Sequence, residues 1–114
     1  MLGEHLYEAT TASFESMVVE VPGLVIVDLW AIWCGPCQIV APTLEVLAKQ
    51  YAETLRIVTV DITEQPEIAT KYAVRSVPTL LFFVDGQVVE RLVGTVPRAD
   101  IEARIKHHLG LTLT

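Results

Sequence analysis

Apolar residues follow two rhythms along this chain. Residues 24 to 31, LVIVDLWA, and 55 to 61, LRIVTVD, are apolar at nearly every position, the pattern of strands covered on both faces. Between them Val40, Leu44, Leu47 and Tyr51 recur at helical spacing, which predicts a helix of about four turns. Pro22-Gly23 marks a turn before the first strand, and residues 12 to 19 are expected to form a short helix with Ser13 as its cap. Pro66 suits the first position of a helix running to about Tyr72. TLLFFV and QVVERLV flank Asp85-Gly86, a strong hairpin signal. A last helix is predicted over 98–109, with Asp100 in its first turn, Lys106 and His107 in its last, and Gly110 as cap. Ile101, Ile105 and Leu109 make its buried stripe.

Strand, helix, strand, helix, hairpin, helix is an α/β order, implying a mixed sheet with helices on both faces. The two strong strands should be parallel and joined by a right-handed crossover, with the hairpin adding antiparallel strands. Repeats, low-complexity tracts and linkers are absent, so residues 1–114 are expected to form a single domain.

Composition narrows the classes of function. Hydrophobic residues make up 52% of the chain, which argues for a folded globule. A formal charge of −6 argues against nucleic acid or an anionic membrane as partner. No apolar run approaches the ~20 residues of a membrane span. The N-terminal MLGEHLYEATTASFESM carries acidic residues where an export signal would be basic and then apolar. A cytoplasmic protein is expected. There a permanent disulfide is rare, and paired cysteines are more often catalytic or metal-binding.

Both cysteines of the chain, Cys34 and Cys37, lie in AIWCGPCQIVAP where a strand should give way to a helix. Their i, i+3 spacing puts them on one face of the first turn, about 5–6 Å apart at Cβ, close enough to bridge after a small adjustment. As a staple, a loop this short stabilises by only about 2 kcal/mol. A structural zinc site needs four ligands, and the remaining candidates are His5 and the adjacent His107 and His108, which a helix would point about 100° apart. No metal site is expected. A redox pair explains more residues, because the thiolate is the nucleophile of disulfide exchange and a helix N-terminus favours negative charge. The dipole contributes about 0.3–1 kcal/mol, at most ~2, which lowers a thiol pKa by around one unit. Pro36 rigidifies the first turn without losing a needed donor, and Gly35 leaves room for a partner's backbone.

WCGPC at such a junction resembles the thioredoxin family. VDLWAIWCGPCQIVAP is similar to its active-site segment through the helix proline, here Pro42; KYAVRSVPTLLFFVDG is similar to a second signature, and Val93-Gly94 to a third. The resemblance spans essentially the whole chain. It implies a thioredoxin fold, a central five-stranded mixed sheet flanked by four helices, with residues 5 to 9 as the candidate first strand. It also implies a protein-disulfide reductase in which Cys34 attacks a client disulfide and Cys37 resolves the mixed disulfide. Electrons would come from NADPH through a thioredoxin reductase, with no cofactor bound to the domain itself, and a monomer suffices.

The same resemblance assigns supporting roles. Asp28 stands alone as a carboxylate in its strand, on one face with Ile26 and Trp30. Burial should raise its pKa, and the family implies an acid–base group for Cys37, against a plainer reading as a strand-end residue touching solvent. Pro78 should follow a cis bond and face the cysteines, with the Val77 backbone available to an extended client. Trp33, Gly94 and Pro78 would form an apolar recognition surface, although from the residues alone Trp33 could equally be core. Trp30 and Pro42 are read as structural. Two positions depart from the family: Thr59 stands where many members carry a lysine near the buried acid, and Gln38 where a lysine often follows the motif. An oxidase or isomerase is disfavoured by Gly35-Pro36 between the cysteines, where such relatives commonly carry a histidine. The rival of another class is a non-catalytic module that holds partners through the Trp33 and Pro78 surface.

Overall fold

The two apolar runs become neighbouring strands. In the computed structural model, which describes residues 5–110, β2 (Leu24–Trp30) is the middle strand of five and pairs in parallel with β3 (Leu55–Asp61). Strand β1 (Leu6–Glu8) continues the parallel set beyond β3. On the other side β4 (Thr79–Val84) runs antiparallel to β2, and β5 (Gln87–Val93) antiparallel to β4, giving the order β1-β3-β2-β4-β5. Helices α1 (Gly35–Gln50), α2 (Pro66–Lys71) and α3 (Arg98–His108) follow β2, β3 and β5. With a π-helical turn at Glu15–Val19 they make the four helices of the expected fold class.

Strand alternation divides the apolar residues into two layers. Ile26, Ile57, Leu80 and Phe82 meet Val40, Leu44 and Leu47 of α1 and Ile101 and Ile105 of α3. Val27, Val58, Leu81 and Phe83 meet Phe14, Val18 and Ile68 on the opposite face. A strand buried on both sides needs no polar face, which is why β2 reads as one continuous apolar run.

The segment before β2 differs from the expected capped α-helix. Its turn is closed by Glu20 N–H donating to Glu15 O at 2.9 Å, an i to i+5 bond. Ser13 caps nothing ahead of it. Instead Thr10 N–H donates to Ser13 Oγ at 2.9 Å and Ser13 N–H to Thr10 Oγ1 at 3.2 Å, so Thr10 holds the cap position of a reciprocal box. The hairpin turn is as expected, with Asp85 at φ 50° and Gly86 at φ 81°, the left-handed pair of a type I′ turn. A side chain on Gly86 would place Cβ 2.5 Å from Val19 O, so this glycine is also required by packing. In β5 the register slips between Phe82↔Glu90 and Phe83↔Val88, leaving Val89 as a bulge.

Candidate active site

Where β2 ends, Cys34 N–H donates to Ala31 O at 3.0 Å and turns the chain into α1. Cys34 keeps an extended backbone, φ −95° and ψ 105°, and is the N-cap residue of α1, with Gly35 and Pro36 opening the first turn. Its Sγ accepts the backbone N–H of Cys37 at 3.1 Å. That N–H is one of the donors a helix start leaves without an intrahelical partner. Cys34 and Cys37 are joined by a disulfide with Cα atoms 5.4 Å apart, within the ordinary range for such a bond. A Cβ on Gly35 would meet nothing within 4 Å, so the space above the bond is open toward a partner.

Cys34 and Cys37 do not differ in exposure, since each is 4% accessible. Orientation separates them. Cys37 sits inside the first turn and lines a cleft of about 710 Å³ with Asp28, Trp30, Pro42 and Thr59. Cys34 stays at the helix tip between the exposed Trp33, at 69%, and Gly35.

The second signature is brought against the cysteines. Val77, Trp30 and Ile62 pack on Ala31, Cys34 and Cys37. The Val77-Pro78 peptide is cis, and Gly94, at φ 91°, donates its N–H to Pro78 O at 2.9 Å. Pro78 itself is buried, so the exposed apolar area beside the disulfide comes from Ile32, at 71%, and Trp33 rather than from this proline. Ile32 and Ile62 escaped sequence reasoning. For Ile32 the signal was an apolar residue directly before the motif; for Ile62 it was a half-buried residue just past a strand end.

Asp28 is 4% exposed and lies between Thr59 of β3 and Leu80 of β4 in register. Burial pushes its pKa up to about 7, because removing water penalises the charged form. Its Oδ1 has no hydrogen-bond partner among the described residues. Thr59 does not supply one: its hydroxyl donates to Tyr7 O at 3.4 Å. Gln38 is exposed at the cleft mouth. The histidines lie elsewhere, His5 at 3.1 Å from Glu45 and His108 at 2.7 Å from Glu90. No group of three His, Cys, Asp or Glu side chains among the described residues could hold a metal ion, and no described helix is long and apolar enough to cross a membrane.

Residues 5–107 match the family model described as Thioredoxin. The chain is 43% identical over 100 residues to Thioredoxin 1 of Synechococcus elongatus, covering 88% of this chain and 94% of that protein. To the thioredoxin of Bacillus subtilis it is 43% identical over 104 residues, 91% of this chain and 98% of that one. To the chloroplastic M-type thioredoxin of Pisum sativum it is 38% identical over 98 residues, 86% of this chain and 57% of that one.

Proposed function

The chain belongs to the thioredoxin family and is a dithiol–disulfide exchange reductase, and from that premise we propose how its residues divide the work. The observation that carries the reading is Cys34 at the N-cap of α1, its Sγ accepting the Cys37 N–H at 3.1 Å. In the reduced protein that N–H and the helix dipole favour a thiolate on Cys34. Cys34 attacks one sulfur of a client disulfide; the client S–S bond breaks, a mixed disulfide forms, and the released client thiolate takes a proton from water. Cys37 then gives its proton to Asp28, directly or through water in their shared cleft, and attacks Cys34 Sγ. The second client thiolate leaves. Two electrons have passed to the client, and the Cys34–Cys37 disulfide remains.

Around this chemistry Trp33, Gly35, Pro36, Val77 and Gly94 form the face that a client backbone approaches, with Pro78 buried next to Val77. A thioredoxin reductase drawing on NADPH returns the two electrons, and the domain binds no cofactor of its own. Residues 1–114 act as one domain, a cytoplasmic monomer whose partners are that reductase and disulfide-bearing clients, neither nucleic acid nor membrane.

The test is Cys37→Ser, which leaves the attacking sulfur but removes the resolving one. It should accumulate covalent mixed disulfides with clients, visible as reductant-sensitive adducts, while Cys34→Ser accumulates none. Adducts on Cys34→Ser in place of Cys37→Ser would reverse the order of attack.

A further inference from the structure

The cleft beside Cys37 has a charge pattern that disulfide exchange does not require. Four carboxylates line it: Asp28 at its floor, Asp61 half-buried, and Glu8 and Glu64 exposed at its mouth. No lysine, arginine or histidine is among the lining residues. Three strands and the loop after β3 bring these groups together, since Glu8 and Asp28 both lie opposite Thr59 in register and Asp61 follows two residues later on the same face. Between the charges the walls are apolar, formed by Leu6, Trp30, Ile32 and Pro42. Asp28 is the second observation: it is 4% exposed and lines that space, and its Oδ1 is buried with no partner among the described residues.

We propose that this cleft is a binding site for a short aliphatic diammonium ion, with one ammonium on Asp28, the alkyl stem against the apolar walls, and the other ammonium on the Glu8, Asp61 and Glu64 rim. An anion is disfavoured by every charged group in the cleft. A bare metal ion is disfavoured because no three carboxylates are close enough to ligate one among the described residues. An alkylammonium suits both features, since its stem gains from apolar burial while its head satisfies a buried acceptor. The groups facing Asp28 are Glu8 from β1, Thr59 and Asp61 from β3, Cys37 and Gln38 from α1, and Glu64 from the loop. None competes as a cation. On the role proposed above for Asp28, a bound ammonium would hold its carboxylate ionised and ready to receive the Cys37 proton; binding itself does not depend on that role.

The experiment is a titration of the oxidised protein with pentane-1,5-diamine at about pH 8 and constant ionic strength, followed by amide and carboxyl NMR shifts. Saturable shifts confined to Glu8, Asp28, Cys37, Thr59, Asp61 and Glu64 are expected. Asp28→Asn should weaken binding at least about tenfold, the loss of one charge-assisted bond to a buried acceptor. Thr59→Lys, which tethers an ammonium in the cleft, should abolish it. Glu8→Gln with Glu64→Gln, both exposed and safe for folding, leaves only Asp61 on the rim and should narrow the diamine's advantage over pentylamine. Shifts that never saturate, that spread over the acidic surface, or that are unchanged by Asp28→Asn would overturn the site and leave the disulfide chemistry untouched.

Discussion

Asp28 on β2 and Glu90 on β5 share the sheet face covered by α1 and α3, one alternating with Ile26 and the other opposite Phe82. Burial acts on both, and they respond in opposite ways. Glu90, with its side chain 19% exposed, meets Arg104 Nε at 2.8 Å and His108 Nε2 at 2.7 Å. Burial alone would push its pKa up, but the bonds from His108 and Arg104 outweigh that and hold it below the usual carboxylate range. Asp28 has no such partner among the described residues, and burial takes it to about 7. Helix α3 brings Arg104 and His108 to its strand carboxylate; the start of α1 brings Cys37, Gln38 and Ala41 to the cleft that Asp28 shares. One carboxylate is satisfied and ties β5 to α3. The other is unsatisfied in the cleft it shares with Cys37, which suits the proton-accepting role proposed for it.

The contrast has a thermodynamic sign. Asp28 titrates near 4 when unfolded and at about 7 when folded. Between those values the folded state holds the extra proton, so its contribution is fully present below the unfolded pKa and is lost as pH rises through about 7. Three units correspond to about 4 kcal/mol of lost stability above that range. Asp28→Asn should therefore stabilise the oxidised protein by about 3–4 kcal/mol at roughly pH 8.5 and change little at about pH 4, as read by urea unfolding at both. An equal effect at the two pH values would remove the electrostatic basis of the comparison.

Legibility in the sequence followed from how local each feature is. Strands β2 and β3, helix α1 and the Asp85-Gly86 turn announce themselves because burial on both faces, helical spacing and left-handed φ each leave a mark within a few residues. The cysteine pair belongs to that class, being three residues apart. Strand β1 does not, because it has three residues and turns only Leu6 fully inward. The π-helical turn was hidden for another reason: Phe14 and Val18, four apart and both buried, suit either helix type. The cleft was least legible of all. Its carboxylates come from β1, β2, β3 and a loop, and only the register of Glu8 and Asp28 on Thr59 gathers them.

Thr59→Lys sharpens the comparison by giving Asp28 what Glu90 already has. A cation beside a buried carboxylate favours its charged form, by about one to three units. The pKa of Asp28 should fall by at least about one unit, seen directly in a carboxyl carbon titration. The stability lost above neutral pH should shrink by about 1.4 kcal/mol for each unit. An unchanged titration would mean that the new side chain turns away from the cleft, and that the threonine is not what leaves Asp28 alone.

Glu90→Gln is the converse change and the smallest. It keeps the shape of the side chain while removing the charge that Arg104 and His108 hold. A lowered folded pKa stabilises above the unfolded value of about 4.3, and that stability is lost as pH falls through the folded value. Arg104 is 39% exposed, so solvent screens the pair and the expected loss at neutral pH is only about 1 kcal/mol. It should be lost as pH falls through the folded value, where the carboxyl takes up its proton, and shrink in high salt. Unfolding measured across that range gives a slope opposite to that from Asp28. Were the loss as large at low pH as at neutral pH, Glu90 would act through packing against α3 rather than charge. Its kinship with Asp28 would then be one of position alone.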